Sequence, residues 1–383
     1  MSLWRFMMRD LKAIINDKAI AITLFGGVLF YSILYPLPYL NEVPTEQQIV
    51  VIDGDHSSLS RQLIRRANAS PKLDVVGEVS DIAQAEEMIT RGLAHGFLVI
   101  PEGFRRDLIR QQGVTLAYGG DANYFLIYST VIEGLIAVGV DAEKYIQFNG
   151  LLARGHAAKQ ADRDLDPIRL NSVPAFNPSL GYTSYVVPGV LLLVLHQTLL
   201  IGGAILGAGQ WGRQGYWSKV SALELIWARA AILSLIYSGF SGFYFGFCYY
   251  WYDVSVQGSL LQVALFLVPF LLSTSMASVA FSCLFTRRDL PTQVLLLISM
   301  PILFVSGFVW PLELIPKPLI WFSQLIPAVP TIQGILQLNQ MGANWPSVIS
   351  LWWQLWVLAA GYFVLAYLGI RYRLKAEVNE FSR

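Results

Sequence analysis

The chain has 383 residues, 55% of them hydrophobic and only 14% charged, well below the roughly 25% charged of a soluble globular protein, which points to the bilayer. Its formal net charge of +1 excludes a global basic field for nucleic acid and an acidic excess for a charged partner. The two cysteines, Cys248 and Cys283, lie in apolar runs and give neither a disulfide framework nor zinc-ligand spacing.

In chain order, Leu3 to Asn16 comes first. Trp4, Met7, Met8, Leu11, Ile14 and Ile15 recur at helical spacing, with Arg5, Arg9, Lys12 and Asn16 on another face. The pattern predicts an interfacial helix, with a plain extension of the first span as the alternative. Ala19 to Leu40 is uncharged; it is too long, and too poorly followed by small residues, for a removable signal peptide, so a permanent span is expected.

Residues 41–183 form a large insert. From Gln48 to Gly120, β-rich runs at Ile49–Ile52, Leu73–Val76, Phe97–Ile100 and Val114–Tyr118 alternate with helical stretches near Ser58–Asn68, Asp81–Arg91 and Gly103–Gln112. This predicts a small α/β domain. A helix-compatible stretch from Tyr124 to about Lys159 follows, then polar Gln160–Asp166 and the loop Val173–Ser179. Asp53, Gly54, Asp55 and His56 begin like a calcium loop, but Ser58 and Ile64 stand where that loop needs glycine and an acid. A turn after a strand is the expectation. His56 near Ser57, Ser58 and Ser60 has no Gly-x-Ser-x-Gly elbow beside it. Asn68, Ala69 and Ser70 match a glycosylation acceptor, a short pattern that carries no weight alone.

Five more apolar runs follow: 184–208, 230–252, 258–285, 290–310 and 348–370. Each approaches the roughly 20 residues that cross a bilayer core, so six transmembrane helices are expected. Lys and Arg in the flanks set the orientation. Thirteen of them lie at the N-terminus, in 209–229, at Arg287 and Arg288 and in the tail 371–383, whereas the opposite short connections hold only Lys317. Both termini are then cytoplasmic and the insert extracytoplasmic. The insert carries thirteen basic and eighteen acidic residues.

On the second span His196, Gln197 and Thr198 are the most polar cluster. Lining a path and bonding a neighbouring helix both fit them. Gly202, Gly203 and Gly207 suit either packing or dimerisation. Gly207 to Gly212 has phosphate-loop glycine spacing but continues as Arg213 and Gln214, so the chain has no Walker motif. The aromatics from Phe240 to Trp251 fit an amphiphilic substrate or interface anchoring. Pro311, Pro316, Pro318, Pro327 and Pro330 break any continuous helix, so 311–345 is expected as short pieces at the outer leaflet. Glu313 there is costly to bury unpaired, and an ordinary loop whose Glu faces water fits it as well.

Several stretches resemble one family: Asp55, Ser57 to Arg61, Arg91, Gly92, Gly96 to Pro101, Phe104 and Asp121 to Asn123 in the insert; Asn177, Pro178, Pro188 and Gly189 entering the second span; and Ser306 to Phe308, Pro311 to Glu313, Pro316, Pro327, Pro330 and Gly342 before the last. These are similar to ABC-2 (type 2 ATP-binding-cassette) exporter permeases with a large external domain between spans one and two. The resemblance implies an α-helical polytopic membrane protein of the type V exporter kind, six transmembrane helices with an inserted extracytoplasmic α/β domain. It implies a non-enzymatic chain without a cofactor, ATP and magnesium being held by a separate ATPase subunit. Further implied partners are a second permease chain, identical or different, a periplasmic adaptor and membrane lipid, with no nucleic acid, in a bacterial inner membrane. The expected substrate is amphiphilic, drug-like or lipid-like. Coupling to the ATPase would fall to Arg9, Lys12, Arg213, Lys219, Glu224 and Arg229, and the path and outer gate to His196, Gln197, Thr198, Phe308 and Glu313. Where the family usually has two acids before a Gly-Thr pair, this chain has Gly209, Gln210, Gly212 and Arg213, which raises pairing with a second, more typical permease. A membrane-anchored scaffold or receptor binding a partner through the insert is the alternative function. A membrane enzyme fits worst, since no span carries paired carboxylates or a His cluster.

Overall fold

The computed structural model describes residues 3–40, 44–110, 112–166, 174–177 and 181–381, with residues 375–381 described by backbone alone. Val173, Pro178 and Ser179 of the Val173–Ser179 loop lie outside these. The chain divides into two compact units, one from residues 1–42 and 174–383 and one from 43–173.

The first unit begins with helix α1 (Leu3–Asn16), then α2 (Lys18–Tyr39). Asp17 makes the break: its carboxylate accepts from the backbone N–H groups of Ala19 and Ile20, at 3.1 and 3.4 Å, and so caps α2. The face of α1 buried against the unit is Phe6, Asp10 and Ile14. Of its predicted apolar stripe only Ile14 is fully buried, while Trp4 and Ile15 stay exposed.

The second unit holds a four-stranded sheet in the order β2-β1-β3-β4, where β1 is Gln47–Asp53, β2 Leu73–Glu78, β3 Gly96–Ile100 and β4 Ala117–Gly120. β1 runs parallel to β2 and β3, and β3 antiparallel to β4. Central β1 is buried on both faces, so its apolar run is unbroken. Ile49 and Val51 face one core with α3 (Ser58–Asn68) and α6 (Phe125–Ala153); Val50 and Ile52 face a smaller one with Ala85 of α4 (Ile82–Thr90). A short α5 (Phe104–Ile109) follows β3.

The predicted long helix is two helices, α6 and α7 (Ala158–Leu165), broken where Gly155 takes φ 89. Ion pairs Lys72–Glu133 (2.5 Å) and Arg66–Asp141 hold α6 to this unit. At Asp53 the structure shows a turn: its carboxylate accepts from the N–H groups of Asp55 and His56, both at 3.0 Å, and from the Ser60 hydroxyl at 2.7 Å. Among the described residues no group of three His, Cys, Asp or Glu side chains is placed to hold a metal.

The first unit resumes with α8 (Tyr182–Ala208), α9 (Ala222–Trp251), α10 (Leu260–Ser282), α11 (Leu290–Val305), α12 (Lys317–Ser323), α13 (Ala328–Gln340) and α14 (Trp345–Phe381). Six described helices are long and apolar enough to cross a membrane: α2, α6, α8, α9, α10 and α14. The set differs from the expectation at one member. α6, apolar but engaged on the sheet, passes the test, whereas α11 has 16 residues, a rise of about 24 Å against a hydrocarbon core of about 30 Å. α12 and α13 meet at 93°, the broken form expected for a proline-rich segment.

α8 is buried from Val187 to Ala208 and forms the centre of its unit. Tyr244 of α9 and Tyr252 just after it stitch the bundle, donating to the carbonyls of Val28 and Ser32 on α2 at 2.7 and 2.8 Å. In an apolar bundle such bonds satisfy hydroxyls that lipid could not.

Candidate functional site

At the end of the bundle that carries α1, four side chains from three segments close a hydrogen-bonded ring. Arg229 on α9 donates through Nε to Asp10 Oδ2 at 3.3 Å and through Nη2 to Gln210 Oε1. Gln210 Nε2 donates to the Tyr216 oxygen at 3.3 Å, and the Tyr216 hydroxyl donates to Asp10 Oδ1 at 2.5 Å. Asp10 and Arg229 are 0% and 1% exposed. Removing two such charges from water costs several kcal/mol per ion, a cost offset only where attraction is joined by hydrogen bonds to the remaining polar atoms. Tyr216 supplies one to Asp10 Oδ1 and Gln210 one to Arg229 Nη2, while Arg229 Nη1 has no partner among the described residues. Burial, and then the adjacent Asp10 carboxylate, push the Tyr216 hydroxyl well above its ordinary pKa, which keeps it a proton donor.

An apolar wall surrounds the ring. Phe6 meets Tyr216 edge-on at 5.3 Å, and buried Trp211 donates its indole N–H to the Ser282 carbonyl at 2.9 Å. A second tie lies nearby in sequence, where Arg288 grips both oxygens of Asp17 at 2.7 and 2.6 Å. Hence α1, the loop after α8, the start of α9 and the connection before α11 are fastened together.

The residues expected to face an ATPase fall into two groups. Arg213 and Lys219 are exposed on the loop, and Arg9 and Lys12 are exposed on α1. Glu224 is at the surface, but its carboxylate accepts from the Ser221 N–H at 2.9 Å while Ser221 Oγ accepts from the Glu224 N–H at 3.3 Å, a capping box that starts α9. Arg229 is corrected in placement: it is an interior residue bound to Asp10 and presents nothing to a partner. Asp10 was missed because an acid inside an apolar-spaced stretch reads as a defect in the stripe, and its partner lies 219 positions away.

His196, Gln197 and Thr198 do not line one face. Successive helical residues point about 100° apart, and in this buried stretch of α8 each meets a different neighbour. His196 stacks on Phe270 of α10, with centroids 6.5 Å apart. Gln197 donates to the Leu295 carbonyl of α11 at 2.6 Å. Thr198 accepts from the Tyr237 hydroxyl of α9 at 2.8 Å. Gln197 and Thr198 thus bond helix to helix. Both ring nitrogens of His196, 1% exposed, have no partner among the described residues. An unsatisfied buried polar group costs about 1–3 kcal/mol, so His196→Leu is expected to hold or raise the thermal midpoint of the purified chain; a drop of several degrees would show that the ring makes a polar contact.

At the far end, Phe308 is buried over Gly189, where a Cβ would fall 2.8 Å from its ring. Its carbonyl accepts from the Tyr185 hydroxyl. Gly307 beside it takes φ 87, a conformation suited to glycine, and Gln333 on α13 donates to the Ser306 carbonyl at 3.2 Å. Glu313 sits exposed on a single helical turn, 312–314, so no burial cost arises.

A bundle of apolar spans with a broken penultimate segment, a large α/β insert after the first span and an amphipathic N-terminal helix defines a multi-pass membrane protein. The sequence model of the family described as ABC-2 family transporter protein matches residues 18–368, and the chain belongs to that family. No curated protein matches it.

Proposed function

We propose that this chain is the membrane subunit of an ATP-driven exporter, two permease chains assembling with two ATPase chains and moving a drug-like or lipid-like amphiphile out of the cytoplasm or inner leaflet. The family generally works with an ATPase subunit, and ATP with its magnesium belongs there. The observation that carries the reading is the buried ring of Asp10, Arg229, Gln210 and Tyr216. Coupling needs a stiff element through which movement of an ATPase reaches the spans. The ring joins the 209–221 loop and α1 to the first turns of α9, so a push on the loop moves α9.

Arg213 and Lys219 lie on the exposed side of that loop and offer the ATPase a cationic contact; the ring behind them bears the load. Phe308, over Gly189, closes the far end of the path. A periplasmic adaptor would bind through the insert, with both termini in the cytoplasm of a bacterial cell.

Purification of the native complex, followed by ATPase measurement across a panel of amphiphiles, tests the reading. At least one amphiphile is expected to stimulate hydrolysis several-fold. Arg213→Glu with Lys219→Glu is expected to abolish that stimulation while the chain still inserts. A complex without any ATPase, or stimulation untouched by the double variant, overturns the corresponding part.

A further inference from the structure

α1 carries three separate faces. At about 100° per residue, Phe6, Asp10 and Ile14 share the face turned to the bundle, where all three are buried. Trp4, Met8, Leu11 and Ile15 share a second, on which Trp4 and Ile15 are 63% and 56% exposed. Arg5, Arg9 and Lys12, spaced i, i+4, i+7, share a third and are all exposed. The apolar face lies between the bundle face and the cationic one. Lys12 follows Leu11, and Arg5 follows Trp4, by one helical step.

The charge pairing makes this stripe unusual. The stretch from Leu3 to Lys18 contains two acids, Asp10 and Asp17, and both are consumed internally, by Arg229 and Arg288. Arg5, Arg9 and Lys12 have no ion-pair partner among the described residues. An open helical face of unneutralised cations beside an apolar face on which Trp4 and Ile15 stand exposed matches an anionic bilayer surface: apolar side chains enter the acyl boundary while Arg and Lys reach headgroup phosphates. The side of α1 that carries Phe6 is meanwhile covered by Tyr216.

We infer that α1 is a docking face for anionic phospholipid, with Arg5, Arg9 and Lys12 binding headgroups and Trp4, Leu11 and Ile15 seated in the interface. Lipid composition then sets how firmly α1, and through Asp10 the start of α9, is held. This is independent of the exporter reading, because it concerns the permease chain and lipid alone.

The test is hydrogen–deuterium exchange of the full chain in lipid nanodiscs, of phosphatidylcholine alone or with a one-third share of phosphatidylglycerol. Backbone amides of Leu3 to Asn16 are expected to exchange at least about tenfold more slowly in the anionic discs, since each cation near such a surface contributes on the order of fivefold in binding. High salt should shrink the difference. The variant Arg5→Gln/Arg9→Gln/Lys12→Gln should remove it while exchange in α8 stays unchanged, which shows that the bundle remains folded. Equal exchange of wild-type α1 in both discs overturns the inference. So does a difference that survives the triple variant or ignores salt.

Discussion

Asp10→Ala is expected to lower the stability of the membrane unit by about 3–5 kcal/mol, the range for removing one partner of a buried ion pair, and to abolish ATPase-coupled transport. The reason is asymmetric. The substitution deletes a small carboxylate but leaves the Arg229 guanidinium, 1% exposed, charged among Phe6, Trp211 and Leu225 of the surrounding apolar cluster. It also strips the Tyr216 hydroxyl of its acceptor. Arg229→Met in the same chain removes the stranded charge, and replacing a buried pair by apolar residues is often neutral or stabilising. The double variant is therefore expected to recover most of the lost thermal midpoint. Transport should not recover with it, because the link from α1 and the loop to α9 is gone. Thermal unfolding and substrate-stimulated ATPase, measured on the three variants side by side, separate these outcomes. A double variant less stable than Asp10→Ala would show that the pair is not a coupled unit, and one that transports normally would remove the ring from the coupling path.

That ring also marks where sequence reasoning ended. Spans are legible because lipid tolerates no unsatisfied backbone and few charges, so long apolar runs have few alternative uses. α6 shows the limit of that logic, since its hydropathy suits a membrane while Val131 and Leu135 pack on the sheet. The strands around Ile49 and Phe97 were legible from β-branched runs between turns. Which face of α1 would be buried was not, because a carboxylate such as Asp10 enters a core only when a distant chain segment supplies its cation. Likewise His196, Gln197 and Thr198 are one cluster along the chain and three separate contacts in space. Adjacency in sequence and adjacency on a helix surface differ by 100° at every step.

The second large effect concerns the glycines of α8, for which packing and dimerisation both fitted the sequence. Here the structure supplies the contacts. A Cβ on Gly203 would stand 2.2 Å from Ser278 Oγ, one on Gly207 2.3 Å from Ser282 Oγ, and one on Gly202 2.3 Å from a Leu24 methyl. The serine Cβ atoms are themselves only 2.7 and 2.4 Å away, so rotating a hydroxyl does not make room and the α8 and α10 backbones would have to part. Overpacking costs typically about 1–3 kcal/mol, occasionally more, and α8 is enclosed by its neighbours. Gly203→Leu is accordingly expected to prevent a monodisperse folded chain. Gly239→Leu at an exposed position of α9, where nothing lies within 4 Å of a built Cβ, is expected to leave folding intact, since leucine also exceeds glycine in helix propensity by about 0.8 kcal/mol. Size-exclusion profiles and thermal midpoints in detergent give the comparison. A well-folded Gly203→Leu chain that had lost only its self-association would reassign these glycines to the contact between two permeases, whereas loss of the fold places them inside one.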